Sequence, residues 1–553
     1  MVRTILAASA VAGLALFLLT TSRPHVGAVA TSHAARVDTS PPLASLRPGN
    51  AATDAPECDD PDGSCGVAPD AEQQPQPQPP PAPPVMTTPD GSGAVEQRSP
   101  GTREPARLIT SFDGLGAGFE GPQGASTGRN PSDNSLAAGP NHIVQTVNSR
   151  LAIFDKQGKV LYGAVPTNTI FKGFGGICEQ RLNGDAVVRY EQLAERWLLV
   201  MPIFQRIAGR PEEPYSVCYA VSQTPDPLGA YHRYEFRRKL FPDYPRPAIW
   251  PDGYYNPTST GDEVIQKHIC ITDRTRMLKG EAASEQCIVI DGVNFLNNAD
   301  IDGHGLPPAG APNIMMATGG TQLKKIFEDD GIYVWKVHVD WDDPKKTTVS
   351  EAAKIRVAPY RYLCDGQLTN CVPQPGAARR LDAQGDKLMQ RLIYRKIGNR
   401  ESILAQHSVN TAAGGGGVRW YEFRLDKKRN PVLYQQSTYA PDGLYRWMAS
   451  MAMDRKGNIG VGYSYGGPEQ FPGQRFTGRL ANDPKNKLTF RETVLVEGEA
   501  SQTNAMRWED YTTTAMDPDD CTFWYVGDYV KKGATNYSTK IGAFRFPGCL
   551  EAR

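Results

Sequence analysis

The chain has 553 residues, sixty Lys plus Arg against sixty Asp plus Glu, 40% hydrophobic residues and a net charge of +0. That balance excludes a strong field for capturing nucleic acid or an anionic surface, and no run of like charge is long enough to act as a binding tail.

In chain order, residues 1–30 read as an export signal. Arg3 supplies the positive start, Ile5 to Leu19 is an apolar stretch short for a bilayer span, and Ala28-Val29-Ala30 fits the small-x-small cleavage rule. The mature chain is expected to begin near Thr31, secreted or periplasmic, with no membrane span left. Residues 31–105 are rich in Pro, Ala, Ser, Gln and Asp, and "QQPQPQPPPAPP" reads as an extended polyproline spacer. So little apolar surface cannot offset the entropy of ordering, which predicts a disordered linker.

From 106 to 553 the chain changes to short strand-like runs between Gly, Pro, Asn and Asp, among them "NHIVQTVNSRLAIFD", "ERWLLVMPIF", "GIYVWKVHVDW" and "GNIGVGYSY". "TTVSEAAKIRV" is the nearest helical candidate. A strand, a turn with Asp, Gly or Pro, and a second aromatic or apolar strand recur from Asp133, Asp185, Arg246, near Asn313, Arg391, Arg446 and Asp510. Repeats about 50 to 80 residues apart in an all-β chain predict a single β-propeller. The count gives seven blades, with six or eight as alternatives and a β-sandwich array as the competing architecture.

Ten cysteines lie outside the signal: Cys58, Cys65, Cys178, Cys218, Cys270, Cys287, Cys364, Cys371, Cys521 and Cys549. An even number in an exported chain predicts disulfides rather than metal ligation. Pairing neighbours closes short loops, notably Cys270–Cys287 and Cys364–Cys371. Cys58–Cys65 would form a loop in the linker, and Cys521–Cys549 would tie the last strand to the terminus. Connectivity stays open at this level.

Residues at the head of inner strands would face one mouth of a central channel. Asp133, Asp185, Glu509 and Asp510 are the candidates for acid–base work. Asp243, Arg246, Arg391, Arg446, Arg507, Tyr445 and Tyr511 are the candidates for holding a ligand. Guanidinium forks match carboxylates, and paired carboxylates flank a sugar in glycoside hydrolysis. For each of them the competing role is a bond to backbone or packing between blades. "NNADIDGHG" places Asn298, Asp300 and Asp302 like the first half of a calcium loop, although Ala309 stands where an EF-hand carries Glu. A plain Asp-Gly loop is the competing reading. No GxSxG, Walker loop or HExxH motif is present.

"RWEDYTTTAMDPDDCTFWYVGDY", "YAPDGLYRWMASMAMDRKGNIGVGYS" and "AAGPNHIVQTVN" resemble segments of exported bacterial β-propeller proteins, mostly without assigned activity, near the sialidase-like BNR-type superfamily. The resemblance spans roughly residues 132–549 and implies a propeller and export, not a substrate. The Asp-box of sialidases is not intact here; "MAMDRKGNIG" keeps an Asp and a Gly without the Trp. The resulting expectation is a monomeric exported propeller that recognises, and in its enzymatic form cleaves as a glycoside hydrolase or polysaccharide lyase, an extracellular glycan or other anionic polymer. The alternative is a non-catalytic binding or scaffold propeller for a protein or surface partner.

Overall fold

The computed structural model describes residues 25–46, 88–126, 129–182, 184–203, 215–240, 242–259, 266–291, 293, 295–319, 331–366 and 370–550. They form an all-β structure of antiparallel meanders. The first runs Ser135–Ala138, His142–Val147, Arg150–Asp155, Val160–Pro166. The second runs Val187–Glu191, Arg196–Ile203, Tyr215–Ser222, Tyr231–Arg238. The third runs Ala248–Trp250, Gly253–Ser259, Gln266–Thr272, Ser284–Asp291. The fourth begins Asn297–Ile301, Asn313–Thr318, Gly331–His338 and ends on two short strands, Thr348–Val349 and Ala353–Arg356.

The fifth meander is Leu392–Ile397, Arg400–Asn410, Gly416–Leu425, Pro431–Tyr439. The sixth is Tyr445–Met453, Ile459–Gly467, Gln470–Arg479, Thr493–Val496. In the last, Thr513–Met516, Thr522–Tyr529 and Ser538–Arg545 are completed by Arg107–Gly116 from the other end of the chain.

The core lies in layers between successive meanders. Ala137, Leu151 and Ile153 of the first meet Trp197, Leu199 and Met201 of the second. Leu136, Ile143 and Phe154 meet Trp524, Val526 and Ile541, so the first meander also packs on the last. Strands covered on both faces read as unbroken apolar runs, which is why "RWLLVMPI" lacks alternation. Each buried Leu, Val or Phe contributes roughly 1.5–3 kcal/mol. Where layers approach closely the sequence supplies glycine: a Cβ at Gly462 would sit 2.4 Å from the Tyr525 ring.

Polar contacts join the first strands of neighbours. Val188 N–H donates to Ser135 Oγ, Ile249 N–H to Asp300 Oδ1 at 2.9 Å, and Gln406 Nε2 to the Ala449 carbonyl. The Tyr254 hydroxyl donates to Glu191 at 2.7 Å, linking the third meander to the second. Ser450 and Thr514 share a hydrogen bond, Ala299 pairs with Leu392 in parallel, and Ser132 Oγ donates to Asp528.

Several expectations are corrected here. The fourth repeat starts at Asn297, not near Asn313, which begins its second strand. The helical candidate is strand, because Thr348–Val349 and Ala353–Arg356 pair with Gly331–His338. The described parts of the expected linker are ordered. Ala30–His33 pairs with Ser284–Cys287, Arg36–Thr39 with His232–Glu235, and Glu96–Gln97 with Thr438–Tyr439. These strands fill outer edges, where unpaired N–H and C=O groups await a partner. Leu43 is buried in the layer between the first two meanders. Composition averaged over 31–105 hides such short pairing segments. Strand His25–Val26 pairs with Ile290–Asp291, so a cut after Ala30 would fall inside this ordered segment.

Among the described residues there are four disulfides, Cys178–Cys218, Cys270–Cys287, Cys364–Cys371 and Cys521–Cys549. Cys58 and Cys65 lie outside the described residues. Among the described residues no helix is long and apolar enough to cross a membrane.

Candidate functional site

Six of the segments that lead into first strands converge. They bring Asp133, then Asp185, then Asp243, Tyr244 and Arg246, then Phe295, then Asp382 to Lys387, and finally Arg507, Asp510 and Tyr511. The backbone takes left-handed turns there at non-glycine residues: φ is 48° at Asp133, 52° at Tyr244, 43° at Gln384 and 68° at Asp510. Such turns cost on the order of 1–3 kcal/mol each and collect at functional sites.

Arg507 stands between two carboxylates, 3.1 Å from Asp382 Oδ2 and hydrogen-bonded to Asp510. Gln384 Nε2 also donates to Asp510, and the Tyr244 hydroxyl donates to the Asp510 carbonyl at 2.5 Å. The Tyr244 ring meets Tyr511 edge-on at 5.0 Å and Phe295 at 5.3 Å. Asp133 is buried, close enough to Asp185 and Asp510 to feel the charge of both. Burial first, then the charges of Asp185 and Asp510, push the Asp133 carboxyl well above the usual range, against the pull of Arg507.

Opposite the acids stands a group of cations. Phe295 has Arg246 at 5.0 Å, Lys267 Nζ at 4.3 Å and Lys387 Nζ at 4.2 Å from its ring centre. Arg246 and Lys387 also lie over Tyr244, at 5.1 and 4.9 Å. Lys387 has anchors of its own, Asp386 at 2.8 Å and the Gln384 side-chain oxygen. Arg246 is 2% exposed, and none of its three guanidinium nitrogens has an acceptor. Burial lowers its pKa to about 10. Lys267 is likewise held well below its ordinary value, by burial and then by Arg246.

Of the residues singled out in the sequence, Asp133, Asp185, Asp243, Arg246, Arg507, Asp510 and Tyr511 meet in this cluster; others stand elsewhere. Arg391 binds Asp300 and Asp302, each at 2.6 Å. Arg446 is held by Asp442 and Glu492 in four hydrogen bonds of 2.7–3.1 Å. Both guanidinium groups are saturated, which leaves them no fork for an acid ligand. Glu509 points the other way, accepting from Ser464, from Gln474 and from the Asp528 backbone, and so joins the sixth and last meanders. Tyr445 packs on Leu363 and Trp447 in the apolar cluster that also holds Tyr244, Phe295 and Tyr511.

The residues of the calcium reading are engaged with the chain itself. Asp300 lies on a strand, not in a loop; its oxygens serve Ile249 N–H and Arg391, while Asn298 donates to Asn313. A guanidinium occupies the place a cation would take. His268, Cys270 and Cys287 cluster, but the two cysteines are disulfide-bonded.

Sequence reasoning missed Tyr244, Lys267, Phe295, Asp382, Gln384, Asp386 and Lys387. "DAQGDK" just ahead of Leu392 carries the same head-of-strand signal as Asp133 and would have yielded four of them. Lys267 sits inside Gln266–Thr272, where no local pattern marks it.

No protein-family model matches the chain, and no curated protein does. Solved structures with a similar outline include a Dyadobacter fermentans protein of unknown function, 9% identical, covering 80% of this chain and 100% of its own at TM-score 0.35. The WD40 domain of SCAP from fission yeast is 8% identical over 84% of this chain and 99% of its own, at TM-score 0.33. A flat-faced bat subtype N11 neuraminidase-like protein is 10% identical over 82% and 98%, at TM-score 0.32. None of them lends a residue role to this chain.

Proposed function

We propose that the meanders are the seven blades of one closed β-propeller, and that the protein is an exported monomer recognising an acidic extracellular glycan at the mouth where the first strands begin. Support for closure is the contact of the first meander with the last, through Ser132 and Asp528 and through the shared apolar layer. The observation that carries the function is the convergence of buried acids, cations and aromatic rings at the heads of six first strands, on backbone held in left-handed turns. Buried titratable groups gathered at one concave end are what a binding or catalytic site requires and what packing alone disfavours.

The reaction class follows from the acids. A hydrolase places its two carboxyls about 5–10 Å apart on either side of the sugar. Asp133, buried and pushed up by the charges of Asp185 and Asp510 beside it, is suited to hold a proton. Cleavage of the eliminating, lyase kind fits this arrangement, with cations on the acid group and a proton carrier beside it. Binding without cleavage is the second reading, supported by the engagement of Arg507 between Asp382 and Asp510.

The test is incubation of the intact exported protein with neutral, uronic, sulfated and sialylated glycans, following reducing ends and the ultraviolet absorbance of unsaturated products. Unsaturated product from an acidic glycan, lost in Asp133→Asn, establishes the lyase. Retention without product establishes a binding module, and neither signal removes the glycan.

A further inference from the structure

We infer that Arg246, Lys267 and Lys387, gathered around the Phe295 ring, form a carboxylate-binding site, and that its occupant is the carboxylate of a uronic sugar. The sugar rests on the function proposed above; the carboxylate does not.

The argument starts from what Arg246 lacks. A buried guanidinium with no acceptor forfeits its hydration and receives nothing in exchange, whereas native proteins almost always pair such groups. Its guanidinium lies over two ring faces, Tyr244 and Phe295, while the carboxylates of Asp243 and Asp386 act on it by charge without a hydrogen bond to it. A ring face attracts the cation without accepting its N–H groups as a carboxylate would. Five donors in a rigid fork suit a flat, bidentate acceptor, and a carboxylate is that shape.

The Phe295 ring gathers all three cations, and the charged groups acting on Arg246 and Lys267 include the anions Asp243 and Asp386. Access is from the side of Asp185 and Asp243, the half-buried members of an otherwise buried cluster. The three arginines suggested by the sequence do not compete, because Arg391, Arg446 and Arg507 already hold their own carboxylates.

The test is thermal unfolding of the full exported chain, disulfides intact, at constant ionic strength. Sodium glucuronate, sodium acetate, sodium sulfate and glucose are the probes, applied to wild type, Arg246→Met, Arg246→Lys and Lys387→Met. Glucuronate is expected to raise the wild-type Tm by a few degrees at saturation, about the size that tight occupancy of one site gives. Acetate should act more weakly, and glucose not at all. Arg246→Met should unfold no lower than wild type without ligand and lose the glucuronate response. Arg246→Lys keeps the charge but not the fork, and should need at least tenfold more glucuronate. Lys387→Met repeats the question at a second position should a variant at 246 fail to fold. An equal response to glucose, an equal response to sulfate, or a glucuronate response preserved in Arg246→Met overturns the assignment. A glucuronate response in a protein that retains no glycan polymer leaves this site standing and removes the glycan reading instead.

Discussion

Arg446 and Arg246 are both buried guanidinium groups lying over tyrosine rings, and their surroundings could hardly differ more. Between the fifth and sixth meanders, Arg446 makes four hydrogen bonds to Asp442 and Glu492, with Tyr439 and Tyr465 at 5.6 and 5.2 Å. At the mouth, Arg246 has rings and no acceptor. The first network is complete and needs nothing from outside. The second is incomplete, and an incomplete buried network destabilises the free protein unless something else finishes it. Saturation, rather than residue type, separates architecture from site in this molecule.

The largest effect should come from breaking a complete network. Arg446→Met leaves Glu492 mostly buried and stripped of its main cation, which costs roughly 3–5 kcal/mol for a broken buried pair. Urea unfolding followed by tryptophan fluorescence should show the midpoint fall by that amount at an unchanged slope. The same substitution at Arg246 should cost nothing. If both variants lose equal stability, the contrast between the two regions is wrong.

A second way to sharpen the contrast uses the carboxyls at the junction of first and last meanders. Burial raises the Asp528 carboxyl to about 8, against the hydrogen bonds from Ser132 and Asn134, and Glu509 beside it is raised as well. A raised carboxyl means the folded state holds a proton that the unfolded chain releases near pH 4. Its contribution is therefore full below about pH 4 and is lost as pH rises toward about 8, with a slope of at most ~1.4 kcal/mol per pH unit for one proton. Asp528→Asn cannot ionise and should flatten that decline in denaturation measured from pH 4 to 9. An unchanged slope would mean that Asp528 is already charged in the folded protein.

Much of the fold was legible in the sequence because its signals are local. Strand-like runs, turn residues and the spacing of Asp133, Asp185, Arg246, Arg391, Arg446 and Asp510 all mark the start of a first strand. The fourth unit was misplaced because "NNADI" is short and polar at alternate positions, so the more apolar "NIMMAT" after it looked like the beginning. The site was half legible: position along the strand put Asp133, Asp185, Arg246 and Asp510 together. Saturation was not legible, since the carboxylates holding Arg391 are about 90 residues upstream and one that holds Arg446 is 46 downstream. Nor was the ordering of residues 30–46, whose pairing partners lie about two hundred or more residues away.

The smallest effect tests that N-terminal segment on the same scale of saturation. Arg233 is buried and holds Asp38 with two nitrogens, at 2.8 and 2.6 Å, yet it also donates to the Ile170 and Lys172 carbonyls. Asp38 itself is 37% exposed. Asp38→Ala therefore removes one partner of a guanidinium that keeps two others. The expected loss is about 1 kcal/mol, well below the cost at Arg446, because solvent screens the exposed half of the pair. Amide exchange should meanwhile quicken at Val37 and Thr39 while their partner strand Tyr231–Arg238 stays protected. A loss as large as that of Arg446→Met would show that the segment is held by this one pair, not by its strand hydrogen bonds and the burial of Leu43.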